Sequence, residues 1–290
     1  MKLEKLLELY QQEKPQLSPR TIQKYKSIVK MFIEDAENDD IFITRNKCVQ
    51  WRNKILNRSS AGNCNNYHRH MKSLFNTAVK LGYLESNVFN SIPILKNVES
   101  NRKTISDTTI ERLVSMIIND KYYSQHARFY MAMIDVFRFT GIRRRQLIGI
   151  RWCDVNFDEQ SLYLNAKFSK NGRGNLIPIN QILVDHFVFL KENSRAKMRD
   201  QVFNITEVSH RYKGNQMTEG HVSQLFVKWS DKIGTPISPH RFRHTVATKI
   251  ANSGCNLKSL QQLLGHTDIK TTIGYIETNI DDLRTIQSIL

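Results

Sequence analysis

Apolar residues recur at helical spacing from the first residues onward. Leu3, Leu6, Leu7 and Tyr10 fall on one face and predict an amphipathic helix. The stretch LSPRTIQKYKSIVKMFIEDA predicts a second, with Ser18 as N-cap and Pro19 at the first helical position. Its apolar stripe is Ile22, Tyr25, Val29, Phe32 and Ile33, which leaves Arg20, Lys24, Lys26 and Lys30 on the outer side. A third helix is expected from near Thr44, carrying Arg52 and Lys54. In NNYHRHMKSLFNTAVKLG, Tyr67, Met71, Leu74, Phe75 and Ala78 turn inward and Gly82 stops the helix. His68, Arg69 and Lys72 are placed on its outer side.

Periodicity lapses in SIPILKNVESNRKTI and resumes at ISDTTIERLVSMII, a capped amphipathic helix followed by an apolar one around YMAMIDVFRF. The period then shortens. VNFDEQSLYLNAKFSKNGRGNLIPI holds short β-prone runs with Asn171-Gly172 between two of them, a pair that tolerates positive φ and predicts a hairpin with Lys170 at its tip. From Gln181 onward the pattern is mostly helical again. The expected fold is mainly α with a small β-sheet: a helical domain over residues 1–92, a linker over 93–105 and a mixed α/β domain over 106–290.

Charge narrows the partner. The chain's 43 Lys and Arg against 27 Asp and Glu give +16, an excess that attracts polyanions, nucleic acid first among them. Cys48, Cys64, Cys153 and Cys255 lie far apart without a C-x-x-C pair, which fits a reducing cytoplasm and speaks against a disulfide framework or a structural zinc module. The N-terminus is charged and amphipathic, unlike a signal peptide, and no apolar run approaches membrane-spanning length.

Four stretches could carry chemistry. In SPHRFRHTVA, Ser238 and Pro239 open a helix, so His240 lies where free backbone N–H groups favour an anion. His240 and Arg243 share a face. The cluster reads equally as a phosphate clamp with a proton carrier or as a solvated basic turn. In FRFTGIRRRQ, Gly141 breaks a helix before Arg143, Arg144 and Arg145, of which one or two can face one ligand; an exposed basic rim is an equal alternative. Lys170 alone reads as a solubilising turn lysine, and Tyr275 alone as a packing residue between Ile273 and Ile276. A zinc site from His240, His244 and His266 is opposed by the adjacent arginines and lacks the acidic residue of H-E-x-x-H.

Taken in order, these pieces resemble the tyrosine recombinase (phage integrase) family. TGIR is similar to its T-G-[LM]-R box, HRFRHT to H-x-[LF]-R-H-[TS], and LLGH followed by TTIGY to its L-G-H and T-T-x-x-Y boxes. LSPRTIQKY and LFNTAVKLGYL resemble the family's SAM-like helical core-binding domain, so the likeness covers most of the chain. The departure is at Arg144, Arg145 and Gln146, where the family has two small residues and then an acidic one.

The resemblance implies a site-specific recombinase that cuts and rejoins DNA through a 3′-phosphotyrosine, without metal or other cofactor. Tyr275 would be the nucleophile, Arg143 and Arg243 the phosphate clamp, and Lys170 the acid toward the leaving 5′-oxygen. His240 would assist proton transfer at the tyrosine and His266 would hydrogen-bond the phosphate. Arg20, Lys24, Lys26, Arg52, Lys54, Arg69, Lys72, Arg144, Arg145 and Arg241 are the expected DNA contacts. The implied partners are a double-stranded core site held in a C-shaped clamp and, on it, three further copies in a synaptic tetramer, from a chain monomeric in solution. The tail stripe Ile280, Leu283 and Ile286 would dock on its own core or on a neighbour. The length leaves no expected room for a further arm-binding domain. An integrase of a phage, plasmid or genomic island, a Xer-like dimer resolvase, and a DNA-binding protein without turnover all share this scaffold.

Overall fold

A computed structural model describes residues 1–96, 104–169, 171–209, 216–253 and 256–265. The chain divides into two compact units, Met1–Ser100 and Asn101–Leu290.

The first unit consists of α1 (Leu3–Glu13), α2 (Pro19–Ala36), α3 (Arg45–Arg58) and α4 (Ala61–Lys80), with a 3₁₀ turn at Val88–Ser91. Side-chain caps start three of them: Ser18 accepts from the Thr21 N–H, Thr44 from Lys47 and Ser60 from Asn63. Gly82, at φ +76°, follows the end of α4 as the sequence predicts. The stripes converge on an aromatic centre in which Phe32, Trp51 and Phe75 meet Phe89 largely edge to face. Leu95 is tied to α4 through Asn65, which donates to its carbonyl and accepts from its N–H.

One expectation is corrected here. His68 is not on the outer side of α4 but 4 % exposed, its ring 5.5 Å from that of Phe89. Burial, followed by the positive charges of Lys72, Arg52 and Arg69, holds it below the ordinary histidine value. The sign of the consequence follows directly. The unfolded chain binds a proton at this residue near pH 6.5 and the folded chain does not, so stability is constant above that pH and falls as the pH drops through it. Thermal denaturation at pH 7.5 and 5.5 is expected to show the first unit losing stability at the lower pH, and less so in His68→Leu.

The second unit is built around α6 (Ala127–Thr140), which buries Phe129, Tyr130, Ala132, Met133, Ile134, Val136 and Phe137. A helix buried on so many sides needs neighbours all round. They are α5 (Asp107–Asn119), α8 (Gln181–Glu192) and α10 (Pro239–Asn252). α9 (Glu219–Ile233) brings Phe226 and Trp229 to the same core, where Phe226 meets Phe137 and Phe242. Short α7 (Arg144–Leu147) follows α6, and α11 (Leu257–Leu264) packs on α10.

Between α7 and α8 lies an antiparallel sheet of β1 (Val155–Asn156), β2 (Ser161–Leu164) and β3 (Asn175–Pro178), in the order β1-β2-β3. The last β2–β3 pair is Leu164 with Asn175. Asn171-Gly172 therefore does not close a two-residue hairpin. It forms a turn inside the longer connection 165–174, where the Gly172 N–H donates to Ser169 O. The strands stop because the Asn165 side chain accepts from Lys167 N–H and starts a 3₁₀ turn at Ala166–Phe168. A mainly α protein with one small sheet is thus what the chain forms.

Candidate functional site

The turn that ends α6 sets the first arginine. Gly141 takes φ +61° and its N–H donates to Phe137 O. A side chain there would be strained, and its Cβ would lie 3.2 Å from Val246 Cγ1 on α10. Arg143 follows as the extended N-cap of α7. Its N–H donates to Gln146 Oε1 at 2.8 Å, and the Gln146 N–H donates back to Arg143 O at 2.8 Å. Gln146, the departure from the family pattern, is buried and its Nε2 also reaches Ser169 Oγ at 3.4 Å. One amide thus links the turn carrying Arg143 to the turn that precedes Lys170. The amide does so by accepting at Oε1 and donating at Nε2.

α10 supplies the second arginine. Ser238 caps it, accepting from Arg241 N–H at 3.2 Å, and Pro239 fills the first position. Arg243 is 4 % exposed. Its Nη1 donates to Gly141 O at 2.9 Å and its Nη2 to Leu264 O at 2.6 Å. These carbonyls belong to the turn before Arg143 and to the last residue of α11. Arg243 therefore binds together the three boxes that lie far apart in the chain. Carbonyl oxygens accept its hydrogen bonds without cancelling its charge, so the guanidinium keeps its positive field. Gly265, at φ +61°, comes next, and a Cβ there would lie 3.9 Å from Arg143 Nη1. A shallow depression lined by Arg143, Gln146, Ser169, Asn171, Lys258 and Gly265 results.

His240 is exposed on the first turn of α10. Burial of part of the ring, then Arg243 and Arg143, lowers its pKa from the ordinary histidine value. His244 faces it from one turn on, with its Nε2 2.9 Å from His240 Nε2. Lys170, His266 and Tyr275 lie outside the described residues, although Ser169, Asn171 and Gly265, which adjoin the first two, line the depression.

The expected DNA contacts separate into two groups. Arg20, Lys24, Lys26 and Arg69 are exposed on α2 and α4, Lys72 is half-buried, and Arg241 is half-buried on α10. Arg144, Arg145, Arg52 and Lys54 make hydrogen bonds within the chain. Arg144 turns to α9, where Glu219 Oε2 accepts from its Nη2 at 3.0 Å and the Ser223 hydroxyl meets its Nη1. Arg145 Nη2 donates to Lys167 O, Arg52 Nη1 to Pro93 O and Lys54 Nζ to Asp35 O. Arg144 is therefore an internal strut, its charge paired with a carboxylate 75 positions away. The sequence alone did not reveal the contacts of Gln146 with Ser169 and of His244 with His240. The i, i+4 spacing of His240 and His244 was the available signal for the second.

The chain is similar to proteins of known kind throughout its length. It is 28% identical over 278 residues to a Pseudomonas aeruginosa protein provisionally named tyrosine recombinase XerC, covering 90% of this chain and 64% of that protein. It therefore spans less than two thirds of that relative's length. The tyrosine recombinase XerC of Escherichia coli O139:H28 is 24% identical, covering 93% of this chain and 90% of that protein. Among solved structures, the Tn1549 transposon integrase in complex with a circular intermediate DNA superposes with a TM-score of 0.83 at 20% identity, covering 100% of both chains. A lambda integrase dimer bound to a core site gives 0.75 at 18% identity, covering 96% of this chain and 77% of that one, and these likenesses establish the fold. Residues 103–281, including all four motif boxes, match the model of the phage integrase family, and the chain belongs to that family.

Proposed function

We propose that the chain is a metal-independent site-specific DNA recombinase. Tyr275 Oη attacks a DNA phosphorus, the bond to the 5′-oxygen breaks, and a 3′-phosphotyrosine and a free 5′-hydroxyl result. Lys170 gives a proton to the leaving oxygen, and His240 takes the tyrosine's proton. Arg143 and Arg243 hold the non-bridging oxygens and stabilise the charge of the transition state, with His266 as a further donor. The aryl phosphate ester retains the bond energy, so the reverse attack by a 5′-hydroxyl rejoins the strand without a nucleotide.

The observation that supports this best is the double carbonyl bond of Arg243, which brings the turn of Arg143, the start of α10 and Gly265 to one place. The exposed cations Arg20, Lys24, Lys26 and Arg69 suit a duplex backbone, and a net charge of +16 makes that binding weaken steeply with salt. On its core site the protein acts as a tetramer, assembled from free monomers, as a DNA-bound enzyme of the cytoplasm. No helix among the described residues is long and apolar enough to cross a membrane.

The biological role is that of an integrase of a phage, plasmid or genomic island. The XerC relatives favour a second role with identical chemistry, the resolution of chromosome or plasmid dimers. Covalent trapping tests both. The protein is incubated with nicked genomic fragments and joined complexes are recovered under denaturing conditions. The linked peptide is expected to contain Tyr275, and the joined DNA to be one recurrent sequence, flanking a mobile element in the first case and a chromosomal or plasmid dimer site in the second. If no fragment of the source genome becomes joined, the recombinase reading fails.

A further inference from the structure

His240 and His244 stand one helical turn apart on α10, with ring centroids 4.3 Å apart and planes inclined at 74°. Their Nε2 atoms face each other at 2.9 Å. A hydrogen bond between two imidazole nitrogens needs one hydrogen only, so one ring donates through Nε2–H and the other accepts through a bare Nε2. With His240 Nε2 so engaged, Nδ1 is the nitrogen left for a substrate.

We propose that His244 is a positioning residue for His240: it accepts a hydrogen bond from His240 Nε2–H, which keeps His240 Nδ1 bare to receive a proton and steadies the imidazolium that forms. This rests on the recombinase reading above and assigns the proton path within it. The proton leaves Tyr275 Oη for His240 Nδ1 as the Oη–phosphorus bond forms, and returns to the tyrosine on religation. The His240 Nε2–H stays in place throughout. As Nδ1 is protonated, Nε2–H becomes a cationic donor and its bond to His244 strengthens. The opposite arrangement, with His244 donating, would put the hydrogen of His240 on Nδ1 and leave it unable to accept.

The surrounding charges explain why such an acceptor is needed. Among the described residues, the charged groups that bear on His240 are Arg243 on its own helix and Arg143 from the turn opening α7, and both oppose a positive charge on the ring. A carboxylate at position 244 would accept more strongly, but it would also neutralise the arginines whose field is directed at the phosphate. A neutral imidazole accepts the hydrogen bond and leaves that field intact. The arrangement follows the logic in which a general base is oriented by a third group.

Imidazole ¹⁵N NMR of the full DNA-free chain, titrated in wild type, His244→Phe and His244→Gln, tests the bond itself. Wild-type His240 is expected to keep a protonated-type Nε2 signal at every pH while Nδ1 titrates. His244→Phe, of similar ring volume but without an acceptor, is expected to mix the two tautomers and to move the His240 midpoint to lower pH. His244→Gln, whose Oε1 can accept, is expected to restore the wild-type pattern. A bare Nε2 on wild-type His240, or an unchanged titration in His244→Phe, overturns the proposal. On the DNA recovered by covalent trapping, His244→Phe should slow adduct formation about tenfold to a hundredfold, less than the ~10²–10⁴ attributed to a whole general base, and shift its acid limb to lower pH. His244→Gln should recover most of that rate. If wild type forms no adduct while the NMR pattern is as expected, the hydrogen bond stands and the recombinase reading, with the base role, is what fails.

Discussion

Arg243→Ala is expected to cost about 3–5 kcal/mol of stability in the second unit and to abolish measurable adduct formation. The two effects have one source. The guanidinium is buried at 4 % exposure and satisfies Gly141 O at 2.9 Å and Leu264 O at 2.6 Å. Truncation leaves both carbonyls buried without that donor, each costing about 1–3 kcal/mol. The same truncation removes a cation from the proposed phosphate clamp, for which losses of about 10³-fold or more are typical. Arg243→Lys separates the two. A lysine reaches one carbonyl as a point donor but cannot fork between two. Urea denaturation should therefore show part of the stability returning while adduct formation stays low. An Arg243→Ala protein as stable as wild type would show that the two carbonyl bonds do not hold the boxes together.

Gly149→Ala is expected to destabilise the second unit by about 1–3 kcal/mol and to slow adduct formation as well. A Cβ at Gly149 would lie 2.4 Å from Cγ and Cδ2 of Phe168 and 3.0 Å from its Cβ, distances no packed side chain tolerates. The ring must move, and it belongs to the turn Ala166–Phe168 immediately before Ser169 and Lys170. Ser169 is in turn the partner of Gln146, so displacement of Phe168 disturbs the link between the lysine's turn and the arginine's. A double-mutant cycle with Phe168→Ala checks the cause. Removing the ring should relieve most of the added cost of Gly149→Ala, measured both by denaturation and by the rate of adduct formation. Additive effects of the two substitutions would show that the contact is not responsible.

The hydrophobic pattern and short motifs were sufficient to read the helices, their starts and the class of chemistry. Ser18 and Thr44 cap the helices expected of them, and the stripe Tyr25, Val29 and Phe32 is buried. These features are legible because capping and amphipathicity depend on neighbours within one or two turns. The motif boxes were legible for a different reason: the arginines, histidines and glycines of such a site keep a fixed spacing within each box, and the boxes follow one another in order.

What required the folded chain is every feature set by contacts between distant segments. His68 sits beside the outward Arg69 in the sequence, yet the packing of Phe89 against α4 encloses it. Arg144 looks like its neighbours until Glu219 and Ser223 arrive from α9. Asn171-Gly172 promised a tight hairpin, but Asn165 ended the strand first. Gln146 was legible as a departure, whereas its use was not, because Ser169 comes from 23 positions away. Sequence alone determined the helices, their caps and the family, since these depend on side-chain chemistry and local spacing. Tertiary structure decided which cations are already paired, which histidines meet, and how one buried arginine gathers the boxes, because burial and hydrogen-bond partners are properties of packing between elements.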